Sequence, residues 1–431
     1  MGIRVLCVAG AIGSLVVTVG FAPGCGGSSG GSGFGSSSGN SGSGGSGSNG
    51  SGSGGGNSSS SGGVIGFGDG SAGEGGGVCD PNPANYDIPG NNCDDDGDGK
   101  VDNTPVCDGS LMLTGTAHDF ANAIGLCQDA AGQKWGIVSA TYTSGFGGGG
   151  SPNDGQHGIL PHFGTAIMPR EGSMLGDLSS GFAREWDNTG GTDTGACVYP
   201  PTSPTQYGAP CFKGYQMPMS GMGAAPPGYP KAAASCPSQM GVGIYDTISL
   251  TLQVKTPANA QGLQFDFDFY SGEWPEYVCT NFNDSFVAWL QSAAYTGKNG
   301  DLNISYDSKG NPLSVNNAFF ETCTNNASTG CCANQGMAGC GNPTGTAACT
   351  SGPGGLAGTG FEDDGTYCGG ASTGGGATGW LTTTAPVKPG EVITLQFIIW
   401  DTGDPNWDSS VLVDHFTWQP GPTMTGTQPA Q

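Results

Sequence analysis

Residues 264–286, QFDFDFYSGEWPEYVCTNFNDSF, decide the fold. Phe265, Phe267 and Phe269 alternate with Asp266 and Asp268, and a strict period of two predicts a β-strand with its aromatic face buried and its carboxylate face outward. The strand runs into a loop dense in oxygen donors. Ser271, Glu273, Glu276, Asn281, Asn283 and Asp284 follow in short order, broken by Gly272 and Pro275, before strand character resumes over 285–290. Chemistry or binding is expected there. Near the end of the chain, 392–400, VITLQFIIW, reads as a nearly continuous apolar strand, followed by DTGDPNWDSSVLVDHFTW. Asp401, Asp404, Asp408 and Asp414 punctuate that loop and a closing strand. The two segments are expected to be neighbours in one sheet or sandwich.

Working outward, further strands are expected at 134–142, 163–170, 246–254, 303–306, 314–320 and 379–384, with turns at 257–262 and 308–312. A helical pattern occurs over 117–130, where Phe120, Ala123, Ile124 and Cys127 share a face and His118 or Asp119 can cap. Residues 190–240 are rich in Pro, Gly and Met, carry Cys197, Cys211 and Cys236, and read as a long disulfide-pinned insertion. Many short strands with abundant turn residues predict a mainly β chain, a jelly-roll-like β-sandwich over 110–420 with long disulfide-pinned loops and a flexible tail at 421–431.

Four phrases, FYSGEWPEYVCTNFNDSF, GNPLSVNNAFF, GATGWLTTTAPVKPGE and ITLQFIIWDTGDPNWDSSVLVDHF, make the region from about 110 to 420 similar to the choice-of-anchor L domain of bacterial secreted and surface proteins. In that family a Ser-Glu-Glu-like loop leads to Phe-Asn-Asp-x-Phe, and the C-terminal strand carries Asp-x-x-Asp and Asp-Ser. Here Ser271, Gly272 and Glu273 stand at the loop, so one carboxylate is absent. The resemblance implies a secreted β-rich domain, an address and a fold more than an activity.

The N-terminal quarter carries its own signals. In residues 1–25, Arg4 precedes a mostly apolar run from Val5 to Phe21, and Ala22, Pro23 and Gly24 lead into Cys25. That ending resembles a bacterial lipobox, in which signal peptidase II cuts before a cysteine that becomes lipid-modified. Ala22 departs from the usual Leu, which leaves ordinary signal cleavage or an uncleaved anchor helix as alternatives. Residues 26–77 are almost entirely Gly and Ser, a disordered tether whose coil statistics give a span of roughly 40 Å. The G-x-S-x-G match at Gly35–Gly39 lies inside this low-complexity run and carries no hydrolase signal.

Composition narrows the partners. With 85 Gly, 11 Lys or Arg, 35 Asp or Glu and a net charge of -24, the chain would be repelled by nucleic acid and anionic membranes, so no nucleic acid is expected and membrane contact runs only through the lipid anchor. Multivalent cations are the natural counterpart. Of 16 cysteines, setting aside Cys7 and Cys25 leaves an even number, compatible with seven disulfides formed after export. No paired C-x-x-C favours zinc, and His157 and His162, five apart without a third ligand, read as packing or loop residues.

Residues 78–109 form a small module containing CDDDGDGKVDN. Asp94, Asp96 and Asp98 stand at alternate positions, Gly99 permits a sharp turn, Lys100 can offer its carbonyl, and Asp102 falls at the ninth position, so calcium is the expected cofactor. Pro105 replaces the twelfth-position Glu, and the loop resembles dockerin and thrombospondin type 3 repeats; a solvated acidic linker is the bland alternative. A second, structural calcium is expected among Asp284, Asp401, Asp404 and Asp408. Glu273, Trp274 and Trp407, set among Pro, Glu and Asp, are the expected surface contacts for a cell-surface glycan or protein ligand, while Trp400 is expected in the core. No catalytic residue is assigned. The resulting expectation is a non-catalytic lipoprotein, anchored in the bacterial envelope at the outer membrane or cell surface, for adhesion or ligand binding. A carbohydrate-active hydrolase using Asp266, Asp268, Glu273, Glu276 or Asp284, or an envelope structural protein, are the alternatives.

Overall fold

A computed structural model describes residues 79–185, 223–234, 236, 243–298, 300–307, 309–316, 319–330, 345–361 and 375–431. The expected signal segment with Cys25, the tether, most of the 190–240 insertion, and Cys331, Cys332, Cys340 and Cys368 lie outside them. All described residues belong to one compact unit.

The alternating stretch is a strand, as its period requires. In chain order the strands are β1 (Gly136–Thr143), β2 (His157–Leu160), β3 (Leu175–Ser179), β4 (Ile244–Lys255), β5 (Gly262–Ser271), β6 (Ser285–Gln291) and β7 (Leu313–Ser314). They continue with β8 (Ser328–Thr329), β9 (Gly345–Thr346), β10 (Gly376–Ala377), β11 (Leu381–Pro386), β12 (Val392–Thr402), β13 (Ser409–Gln419) and β14 (Gly426–Pro429). One antiparallel sheet runs β1-β4-β12-β6-β7; the other runs β14-β11-β5-β13-β3-β2, with β10 also on β5. The two organising strands therefore lie in opposite sheets of a sandwich. Phe265 meets Phe397 edge-on at 5.0 Å between ring centres, and Phe267 meets Phe286 at 5.1 Å. Phe265, Phe267 and Phe269 are fully buried, each contributing about 2–3 kcal/mol of hydrophobic stabilisation.

The carboxylate face of β5 is not outward, against expectation. Asp266 and Asp268 are each 1 % exposed. Phe163, Leu356 and Phe361 pack on Leu160, Tyr270 and Leu412 of this sheet in a second core, so chain outside the strands forms a third layer over it. The apolar run of β12 has the same cause. Phe397 and Ile399 join the main core while Ile398 and Trp400 pack outward against Trp289, Phe146 and Tyr229.

Other elements depart from the pattern reading for local reasons. Residues 163–170 form a turn in which Phe163 and Ile167 bridge around Gly164 at φ +63°, and the strands lie on either side of it as β2 and β3. Over 303–306 only isolated bridges form, and the next expected strand shrinks to β7. There the Asn303 and Asp307 side chains accept from the N–H groups of Ser305, Lys309 and Asn311, competing with a ladder. The helix is α1 (Ala117–Ala123), capped by Thr116 with Asp119 completing the capping box, and shorter than expected because Gly125 follows at φ +101°.

Candidate functional site

The loop 94–100 folds by its own side chains. Asp94 accepts from the N–H groups of Gly97 (2.9 Å) and Gly99 (3.0 Å), Asp96 from that of Asp98 (3.0 Å), and Asp98 from that of Lys100 (2.8 Å). Gly97 and Gly99 take φ +75° and +91°, which lets successive carboxylates turn inward. Asp94, Asp96 and Asp98 bring three oxygens within 4.8 Å of one another, unlike any other Asp, Glu, His or Cys group among the described residues. Lys100 extends its ammonium to 3.7 Å from Asp98. Asp102 is directed elsewhere: it accepts from the N–H groups of Asn91 (3.0 Å) and Asn92 (3.1 Å) and serves the preceding turn. Asn103, outside the alternating aspartates, reaches Asp98 through its amide at 3.2 Å.

This module is strapped to the sandwich. Asn259 bonds both the N–H and the carbonyl of Tyr86 (2.9 and 2.8 Å), and the Trp135 indole donates to the Asn85 carbonyl (2.8 Å). Disulfides join Cys79 to Cys93 and Cys107 to Cys127. Cys236–Cys279 and Cys323–Cys349 pin the large loops, so all eight described cysteines are paired.

At one end of the sandwich the β5–β6 and β12–β13 loops interlock. Asp284 accepts from Thr402 N–H (3.0 Å) and the Ser409 hydroxyl (2.8 Å), and the Gly272 N–H donates to the Asp408 carbonyl (3.0 Å). Glu273, Asp284, Asp401 and Asp408 are all buried. Neither oxygen of Asp401 receives a hydrogen bond; the hydroxyl of neighbouring Ser180 is aimed at the Ser409 carbonyl (3.3 Å). Burial, then the charges of neighbouring carboxylates, push Glu273 and Asp401 well above the ordinary range, and burial raises Asp284 as well. Asp404 is half-buried, accepts from the Asn406 N–H (2.9 Å), and its charge helps raise Glu273 and Asp284. The expected four-aspartate cation set is thus not assembled as one three-carboxylate cage.

Trp274 and Trp407 are not at the surface. Trp274 is 7 % exposed, stacked on Phe320 at 4.2 Å, and Trp407 is 9 % exposed against Tyr277; Glu273 is buried at 2 %. Trp400 is in the core as expected. The strand carboxylates also have separate partners. Asp266 accepts from Arg170 Nε (3.1 Å) and Thr382 (2.6 Å) and contacts His415 Nδ1 (3.1 Å). Burial opposes its charge, but these bonds outweigh burial and its pKa falls. Asp268 accepts from Thr378 (3.1 Å), and burial pushes it up to about 7. His157 stacks on Tyr142 at 4.1 Å while His162 contacts Glu185 at 2.9 Å. At the opposite end, Ala258, Asn259, Ala293, Pro386, Lys388 and Pro422 line a groove of about 450 Å³.

Residues 241–417 match the family model described as the choice-of-anchor L domain. No curated protein and no solved structure matches the chain. The match begins at β4 and ends in β13, so it contains the acidic end of the sandwich and leaves the Asp94–Asp98 loop, α1 and β1–β3 outside.

Proposed function

We infer, for a surface-associated chain that carries a choice-of-anchor L domain at residues 241–417, that the sandwich is displayed on the cell surface as a calcium-stabilised adhesion or ligand-binding module. The observation that carries this reading is the Asp94–Asp96–Asp98 cage fastened to the sandwich, since an ion there would stiffen a seam of the folded domain and not an isolated bead. The interior group has a different role. Glu273, Asp284 and Asp401 form no ion pair with Lys or Arg among the described residues, and a buried, poorly solvated carboxyl is stable as the neutral acid. We assign these groups to loop locking by shared protons. The groove at the far end is the recess suited to an extended ligand. Its lining, Pro and Ala with Asn259 and Lys388, fits a peptide better than a sugar, because no aromatic ring lines it for stacking.

Lipidation at Cys25 followed by the 26–77 tether would place this module at the cell surface. Cells producing the full chain should lose it to added protease, and Cys25→Ala should release it from the membrane fraction. The purified chain, disulfides intact, should bind cells in calcium and lose binding in EDTA. Protection from protease in intact cells, or binding indifferent to EDTA, would contradict the reading.

A further inference from the structure

A second acidic pair lies where the N-terminal module meets α1, separate from the loop and from the interior group. Asp108 is 4 % exposed. Its Oδ2 accepts from the N–H groups of Ser173 and Met174 (3.0 Å for the latter), while its Oδ1 is buried and receives no hydrogen bond. Glu171, on the turn before β3, likewise has a buried Oε2 without a hydrogen-bond partner. Both residues line a recess of about 30 Å³ together with Asn122 of α1, Gly125 and the Cys107–Cys127 disulfide. A methyl group placed on Gly125 would sit 3.1 Å from Glu171 Oε2 and 3.1 Å from the Phe416 carbonyl oxygen, so a carbonyl adjoins the same space.

Two carboxylate oxygens left without donors beside one recess repel each other unless something lies between them. Burial, with Asp108 adding to it, raises the pKa of Glu171 against the opposing influence of His415. The size of the recess suits one small ion with a water, since a single water needs about 10–15 Å³. Its lining supplies oxygen donors and no imidazole, and its cysteines are locked in a disulfide. That donor set selects a hard divalent cation over zinc or copper.

We propose that this recess is a calcium site, with Asp108 and Glu171 as carboxylate ligands and Asn122, a nearby carbonyl and water available to complete the shell. Such an ion would clip three segments together: the end of the module, α1, and the turn leading into β3. The site does not depend on the Asp94–Asp98 loop binding an ion.

Equilibrium dialysis of calcium against the full chain, disulfides intact, tests it with Glu171→Gln, Asp108→Asn and the loop variant Asp96→Asn. Glu171→Gln and Asp108→Asn should each bind one calcium fewer per chain than wild type, with an unchanged or higher Tm in EDTA and a smaller rise in Tm on adding calcium. Asp96→Asn should retain the ion that Glu171→Gln loses. If Glu171→Gln and Asp108→Asn, folded by the EDTA melt, bind as much calcium as wild type, the recess holds water and the proposal fails. Loss of calcium in Asp96→Asn alone would sink the seam site while leaving the loop site intact. Full retention in Asp96→Asn together with loss in Glu171→Gln would do the reverse.

Discussion

At the scale of single residues, Asp401 shows how this domain handles its acidity. It is fully buried, neither oxygen is bonded, and its raised pKa comes first from burial and then from Asp284 and Asp408. A carboxyl whose pKa rises on folding gives stability that is fully present below its unfolded value near 4 and is lost as pH climbs through the folded value. Melts in EDTA should therefore show Tm falling from pH 5 to pH 8. Asp401→Asn, which keeps the shape of the neutral acid, should flatten that slope, matching wild type best near pH 4 and exceeding its Tm by a growing margin towards pH 8. A variant that tracks wild type at both pH values would show that Asp401 is ionised and compensated. The identity of these acids was legible in the sequence, but their burial was not. Alternation in 265–269 identifies a strand and its two faces, yet says nothing about a third layer, and that layer comes from distant turns around Phe163 and Phe361. Trp274 and Trp407 were misplaced for the same reason: polar neighbours in sequence signal a surface only when those neighbours are themselves exposed, and Glu273 and Asp408 are buried.

At the scale of elements, long periodic strands were readable and short ones were not. β4, β5, β12 and β13 carry enough alternating or apolar residues to announce themselves, and β5, β12 and β13 bring the acidic loops to one end. β2 and β3 each have a handful of residues buried throughout, so neither shows a period, and a turn between them resembled a strand. Their position depends on close approach. Phe120 of α1 packs directly on Gly176 of β3, where an added Cβ would lie 2.2 Å from the ring. Gly176→Ala must push the helix off the sheet and should cost about 1–3 kcal/mol in urea unfolding. An unchanged midpoint would show that α1 is free to shift. Asn122 of the helix lines the recess beside Asp108, and Cys127, four residues past the helix end, carries the disulfide to the module, so the same variant should weaken any stabilisation by calcium.

At the scale of the whole molecule, the chain combines an address with a cross-braced domain. The oxidising compartment foreseen from the cysteine count agrees with the four disulfides among the described residues, while their pairing could not be read from spacing. Two of them bracket the acidic loop. One closes it on Cys79 and the other ties it to the sandwich, and the Tyr86–Trp135 contact at 5.7 Å completes the strap. A loop attached in this way would transmit the effect of a bound ion to the fold. Binding to the native state alone stabilises it by about 2.7 kcal/mol at one hundred times the dissociation constant.

The most direct test is a calorimetric titration of the chelated, disulfide-intact chain with calcium, followed by melting, for wild type and for Asp94→Asn combined with Asp96→Asn. Wild type should take up calcium saturably with a higher Tm for one cooperative transition of the whole unit, and the double variant should lose one ion and part of that rise. Uptake that is equal in both proteins, or a wild type whose melt ignores calcium, would contradict the calcium-stabilised reading.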